Sequence, residues 1–449
     1  MRAPGIAIVI ALATTAAHAD TLGTAVRTAT LDPARRVVGF VVRGKSKLRP
    51  RTLRYLAHVD EGDYLRTSDL KRIKQALISS ELFEQVSVSL EPDEDEDGVD
   101  LVATLDDKHS WIVAPTIYVL PGKLALGVGY AENNLRGLNQ KLLLYGQVGT
   151  RDTLLFGAFL DQSVRGTKLT FRADMYTSSR VTDEYANPTT DATSTEILRT
   201  STITYLGGGV LVGWNFAWWA IGDLRLRGAH VSFREAHAPD DTALPNPSID
   251  GYDVTAQARL TFDARGHYFG VTWGPYLQLF AETSIPGLDD FDYSTALLRA
   301  YYSWRLFGDH QLELRTLFTI GRHVPMHEET TNGGVVDLRG YATDQFRGDT
   351  RTVVRTEYSL PIARSKLFAF RAIGFFDSGY VGYQFRAPDG RRNYLPNQHD
   401  NAGWFRNDVG LGLRVYVKAI VLPLLGLDVA YGIEGHSPAV YFEVGLTDF

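Results

Sequence analysis

From Trp111 to the end of the chain, apolar and polar residues alternate in segments of roughly ten residues. Examples are "KLALGVGYAE", "KLLLYGQVG", "TLLFGAFLD", "KLTFRADMYTS" and "DLRLRGAHVSF". Successive side chains of a strand point to opposite faces, so each segment has one apolar and one polar face. Helical spacing is absent from this region. The connectors alternate in length as well. Short ones are "SVRG" (163–166), "ARGHYF" (264–269), "LFGD" (306–309) and "ARSK" (363–366). Long ones cover Ser179 to Leu198, Arg234 to Gly251, Arg322 to Asp349 and Val381 to Arg406. The pattern predicts about sixteen strands, an even number, closed into a transmembrane antiparallel β-barrel over 108–449. Closure has a physical reason. In hydrocarbon every backbone amide must be paired within the protein, which only a helix or an edgeless sheet achieves. A soluble sandwich or propeller of similar strand number is the alternative.

The front of the chain reads differently. In 36–107, "VVGFVVRG" alternates like a strand, whereas "LRPRTLRYLAHV" places Leu53, Leu56 and Ala57 at helical spacing. "TSDLKRIKQALISSELF" opens on an N-cap candidate, Thr67 or Ser68, and sets Leu70, Ile73, Leu77 and Ile78 on one face. Two more alternating strands follow, joined by the acidic run Asp93 to Asp97, which reads as a solvated hairpin loop. The expected order is β-α-α-β-β, a small α+β domain.

Composition narrows the compartment. The chain has 449 residues, a formal net charge of -6 and no cysteine. That charge argues against a nucleic-acid partner, and the missing thiols exclude disulfides and cysteine nucleophiles. "MRAPGIAIVIALATTAAHAD" has one early positive charge, a short apolar run and Ala17-His18-Ala19. It reads as a signal peptide, 1–19, cut before Asp20, with a linker over 20–35. No other stretch approaches the ~18 uninterrupted apolar residues of a spanning helix. With 42 Gly, 22 Tyr, 22 Phe and 7 Trp but 3 Met, the rest suits an exported Gram-negative outer-membrane barrel.

Enzyme signatures are missing. "MHEET" (326–330) lacks the second His of H-E-x-x-H, and no G-x-S-x-G elbow occurs. The eleven His show no ligand spacing, and His323 and His327 are expected to be solvated loop residues. No cofactor and no metal are implied. Arg-Gly pairs occur at Arg43, Arg136, Arg165, Arg227, Arg265, Arg339 and Arg347. The last continues as Arg347-Gly348-Asp349, an adhesion-like tripeptide expected to be a structural turn.

Several motifs together carry a resemblance. "VVGFVVRG…ELFEQVSV…LVATLDDK" resembles a POTRA domain, with Gly44, Gly62-Asp63, Leu82-Phe83 and Val86 as matching marks. "ENNLRGLNQKL" (132–142), "LRGY" (338–341), "RTEYSLPI" (355–362) and "FFDSG" (375–379) follow in the order found in the BamA/TamA superfamily. The terminal "AVYFEVGLTDF", with Tyr441, Gly445 and Phe449, is similar to the C-terminal signal read by barrel-assembly machinery.

The resemblance implies an insertase or translocase of the Gram-negative outer membrane, not an enzyme. Its POTRA domain would lie in the periplasm, its partners would be outer-membrane lipid and client polypeptides, and a periplasmic protein could meet the POTRA domain. It also implies a lumen lock, in which the sixth extracellular loop folds inward and Arg339 meets Glu357 and Asp377. Gly340 and Tyr341 would pack beside them, with Phe375 and Gly379 in support. Client strands would enter by a weak seam between roughly 111–119 and 439–449. The alternatives are a diffusion pore or lipid-handling barrel, and a surface-antigen or adhesin-like barrel.

Overall fold

A computed structural model describes residues 33–444 apart from 81, 94–96, 121, 187–195, 269, 389, 397–404 and 418–422. The expected signal peptide, most of the expected linker, and the terminal Gly445 and Phe449 lie outside the described residues.

The N-terminal unit runs β1 (Arg35–Arg43), α1 (Pro50–Ala57), β2 (Tyr64–Leu65), α2 (Leu70–Ser79), β3 (Phe83–Pro92) and β4 (Val99–Asp107). It resembles a POTRA domain, and the two-residue β2 is the one element added to the expected order. The sheet order is β2-β1-β4-β3, with β1 and β4 parallel. Leu53, Leu56 and Ala57 of α1 and Ile73 and Leu77 of α2 pack on Val37, Leu101, Ala103 and Leu105. Ile78, expected on the same helical face, is 45% exposed, because 100° per residue carries it past the edge of that face. The second helix is entered through the single turn Thr67–Asp69, and the Asp69 carboxylate accepts the Arg66 amide at 2.9 Å. Asp69, rather than Thr67 or Ser68, thus meets an amide left unpaired at the start of that turn.

Sixteen long strands close the barrel. The first four are Trp111–Leu120, Lys123–Leu135, Gln140–Gly149 and Asp152–Asp161. The fifth to eighth are Leu169–Tyr185, Ile197–Ala217, Ala220–His237 and Gly251–Asp263. The ninth to twelfth are Val271–Ser284, Ser294–Arg305, Gln311–Arg322 and Thr350–Arg364. The last four are Phe368–Gly382, Arg406–Val417, Pro423–Gly432 and Ser437–Val444.

The wall obeys the period of two. In the seventh strand Leu224 and Leu226 are 67% and 55% exposed, while Asp223, Arg225 and Arg227 turn inward. Inward charges pair across strands: Arg225 meets Asp174 at 2.6 Å and Arg259 meets Asp223 at 2.9 Å. The fifth to seventh strands have 17, 21 and 18 residues, well beyond the ~9–11 that cross a bilayer. They absorb part of two segments expected to be loops. Ser179–Tyr185 pairs with Ile197–Thr204 instead of looping.

Neighbouring strands pair along most of their length, as from Gly274↔Ser303 to Thr283↔Ser294. The closing pair is described as far as Val444. Among the described residues, the sixteenth strand meets the first only at Phe442↔Val119, Glu443↔Tyr118 and Val444↔Ile117.

Candidate functional site in the barrel lumen

The segment between the eleventh and twelfth strands turns into the barrel instead of away from it. Leu338, Arg339 and Tyr341 are all 1% exposed or less. Arg339 is held at several edges of its guanidinium. Nε and Nη2 donate to the two Asp377 carboxylate oxygens at 2.7 and 2.9 Å, and Nη1 donates to Glu357 Oε1 at 2.7 Å. This bidentate fork is a geometry that lysine cannot reproduce. The Phe375 ring lies beneath, 3.3 Å from the guanidinium carbon to the ring centroid. Asp428 of the fifteenth strand stands 3.6 Å from Nη1, itself clamped by Arg414 at 2.6 and 2.7 Å.

Strand register explains how these groups converge. Arg355↔Asp377, Asp377↔Asp408 and Asp408↔Gly432 form one row across the twelfth to fifteenth strands. The row ends on a position without a side chain, and there Gly340 docks. A β-carbon on Gly340 would fall 2.3 Å from the Gly432 amide nitrogen, so this approach excludes any larger residue. A β-carbon on Gly379 would meet Asn332 Nδ2 at 2.9 Å and the Leu338 methyls at 3.2 Å. Its hydrogen therefore makes room for the same loop.

Tyr341 extends the contact. Its hydroxyl donates to Glu434 at 2.6 Å, and Glu434 also accepts the Asn407 amide at 2.7 Å. The last strand holds the loop backbone from the other side. Ser437 donates to the Gly340 carbonyl at 2.5 Å, and the Tyr441 hydroxyl donates to that of Tyr341 at 3.1 Å. Thus Arg339, Gly340, Tyr341, Glu357, Phe375, Asp377, Gly379 and Tyr441 surround one segment. Asp428, Glu434, Ser437 and Gly432 complete the surroundings and were not singled out by sequence. The visible sign of Asp428, Ser437 and Gly432 is a polar residue or glycine within an apolar-alternating strand, whereas Glu434 lies in the turn between the last two strands and has no such sign.

Two further clusters cross the far mouth, the end away from the N-terminal unit. Arg392, fully buried, bonds Glu329 at 2.8 Å and Glu184 at 2.5 Å. Arg199 also pairs with Glu184 and donates to the Pro245 and Asn393 carbonyls at 2.9 and 2.8 Å. This ties the fifth and sixth strands to three long loops. In the second cluster Arg227 lies 2.7 Å from Asp253, 3.2 Å from Glu282 and 3.1 Å from Glu328. His327 joins it, Nε2 3.2 Å from Asp253 Oδ2 and ring centroid 4.6 Å from that of Phe291. The expectation that His327 is solvated is therefore wrong: the inward fold of the loop buries it. Asp253, His327 and Glu328 offer three donor atoms close together, and Arg227 is the cation they surround.

Arg347-Gly348-Asp349 is also internal. Phe346–Gly348 is a short strand paired with Thr330–Asn332 rather than a turn. The Asp349 carboxylate, 3% exposed as a residue, accepts the Gln384 amide at 2.7 Å and the Phe385 amide at 2.6 Å.

The model of the Omp85 superfamily domain matches residues 134–446. The chain belongs to the Omp85 superfamily. Over 372 residues this Omp85 chain is 24% identical to the outer membrane protein assembly factor BamA of Nitratidesulfovibrio vulgaris. The match covers 76% of this chain and 43% of that protein, so the chain spans less than half of its length. Its fold is similar to BamA from Haemophilus ducreyi lacking POTRA domains 1–3, with TM-score 0.60 and 16% identity over 91% of this chain and 84% of that one. CdiB from Acinetobacter baumannii follows at TM-score 0.58 and 15% identity, covering 92% and 74%. CdiB from Escherichia coli gives 0.55 and 12%, covering 94% and 93%. These structural likenesses concern the fold. The Omp85 barrel and the BamA relative make this a protein of the Gram-negative outer membrane.

Proposed function

We propose that this Omp85 barrel inserts or translocates other polypeptides at the outer membrane, with 1–19 as signal peptide and 36–107 as a periplasmic POTRA domain. The observation that carries the reading is the inward loop, which Arg339 holds to Glu357 and Asp377 and which Ser437 and Tyr441 tie to the strand that closes the barrel on the first. Where the first and last strands meet, an incoming strand could add to the sheet by backbone pairing. Pro115 of the first strand has no amide to contribute to a ladder. β3 forms an open edge of the N-terminal sheet and supplies a second place for an extended client.

The Arg339 cluster serves this reading as a lumen lock that holds the inward loop against the twelfth to sixteenth strands. Its partners on the last strand, Ser437 and Tyr441, bring the lock to one side of the seam. The two arginine clusters across the far mouth count against an open diffusion pore. The buried Asp349 counts against adhesion through the tripeptide.

Purified protein in liposomes, mixed with an unfolded outer-membrane barrel, tests the proposal. The expected result is client folding faster than in empty liposomes. Leakage of small solutes without any acceleration of folding would overturn it in favour of a pore.

A further inference from the structure

Two Arg-Gly pairs outside the lumen, Arg136-Gly137 and Arg165-Gly166, share one construction. They lie in the turns joining the second to the third strand and the fourth to the fifth, on the side of the N-terminal unit. Both arginines have positive φ, 60° and 55°, in a region that asparagine or glycine enters more readily. Each glycine is pressed against the N-terminal unit. A β-carbon on Gly137 would fall 1.8 Å from the Lys47 carbonyl oxygen, and one on Gly166 3.0 Å from that of Arg51. The Arg49 amide also donates to the Gly137 carbonyl at 3.1 Å. Packing therefore accounts for the glycines. It does not account for arginine at the two strained positions, because both side chains point into solvent.

Four more exposed cations surround them: Lys47, Arg49, Arg51 and Lys168. Among the described residues, none of these six enters an ion pair. The nearby carboxylates are engaged by neutral donors. Asp107 accepts the Ser46 hydroxyl at 2.6 Å and the Lys47 amide at 2.7 Å, and Asp161 accepts Gln140 Nε2 at 2.7 Å and the Ser163 amide at 3.1 Å. Those two carboxylates keep their charge, but neither lies within ion-pair distance of the six cations, which outnumber them.

Its depth is marked by the sixth strand. Asn215 Nδ2 donates to the Tyr55 hydroxyl and to the Lys168 carbonyl, both at 3.2 Å. Just beyond it Phe216, Trp218 and Trp219 are 62%, 65% and 43% exposed on the barrel rim. Exposed aromatics at the end of a barrel strand sit at headgroup level.

We propose that this basic collar binds the phosphates of anionic glycerophospholipids in the leaflet facing the N-terminal unit. Guanidinium forks suit phosphate oxygens, and attraction of this kind acts within a Debye length of the surface. The tether would hold the N-terminal unit against the membrane beside the second to sixth strands. It is independent of client handling.

The test is native mass spectrometry of the full-length protein with phosphatidylglycerol or phosphatidylcholine added in detergent. The variant combines R49Q, R51Q and K168Q with R136N and R165N, since asparagine tolerates the turn conformation. Folding is checked by heat-modifiable gel migration. The expected result is about tenfold weaker phosphatidylglycerol retention with phosphatidylcholine retention unchanged. In the parent protein, preference for the anionic lipid should vanish as salt rises. This arm needs no variant. Equal phosphatidylglycerol retention by a folded variant, or no anionic preference in the parent, would overturn the proposal. So would loss of acidic-peptide binding in the variant while lipid retention stays intact.

Discussion

The Tyr441 hydroxyl of the last strand donates to the Tyr341 carbonyl of the inward loop at 3.1 Å, across 100 residues of sequence. The loop backbone is thereby attached to the strand that closes the barrel. Tyr441→Phe keeps the ring and removes the donor, leaving a buried carbonyl without that partner. The expected cost is about 1–2 kcal/mol. Urea unfolding in detergent micelles measures it. A variant as stable as the parent would show that the contact contributes nothing.

Arg339 should be far less tolerant of change. Its side chain is fully buried between Asp377 and Glu357, so Arg339→Ala leaves two inward carboxylates without their cation. The expected destabilisation is about 3–5 kcal/mol, with client folding impaired in liposomes. Arg339→Lys keeps the charge but loses the bidentate fork and should fall between. The exchange R339D/D377R should recover part of the loss, with a coupling of about 1–3 kcal/mol in the double-mutant cycle. Additive single effects would defeat the pairing.

The barrel was legible in the sequence because its wall alternates with period two almost throughout. Leu224 and Leu226 outside against Asp223 and Arg225 inside is one instance. Ser179–Tyr185 was read as loop because Val181 and Tyr185 are its only apolar residues, too few to show the lipid-facing alternation. The Arg339, Glu357 and Asp377 set was legible only through resemblance, since nothing in their spacing states that a loop folds inward. The Arg392–Glu184 contact joins residues 208 apart and has no local sign at all. His327 was misread for the same reason.

The far-mouth cluster gives a prediction of its own. Arg392 bridges Glu184 of the fifth strand and Glu329 of the inward loop. Arg392→Ala should free the long loops while leaving the wall intact. Two measurements check this: higher single-channel conductance in planar bilayers, and faster tryptic cleavage at Arg386 and Arg391. Conductance and cleavage equal to the parent would mean the loops are held elsewhere.

At the junction, the His58 pKa is lowered from its ordinary 6.5 by burial first, then by Arg72 and Lys168. A histidine held more weakly basic when folded favours the folded state fully above pH 6.5. As pH falls below that value, the unfolded chain takes up a proton that the folded one resists, and stability declines. Hydrogen exchange of α1 amides, corrected for intrinsic rate, should therefore show falling protection below pH 6.5. His58 has φ 52°, so His58→Asn suits the backbone and should flatten the dependence. A slope unchanged in that variant would assign the effect to other groups.

The seam can be examined directly because the chain contains no cysteine. Phe442 and Val119 are register partners in the closing pair, so V119C/F442C places two thiols opposite each other on adjacent strands. Opposed β-carbons of an antiparallel pair lie ~4.5–5.5 Å apart, close to what a disulfide spans after a small shift. Oxidation should yield a cross-link that alters migration on an unheated gel and stops client folding in liposomes. Reductant should restore both. The wall pair L279C/L298C, also in register but between the ninth and tenth strands, should cross-link without affecting clients. If the oxidised seam variant still accelerates folding, clients do not enter between the first and last strands. Activity would then have to arise at the N-terminal unit or at the barrel rim.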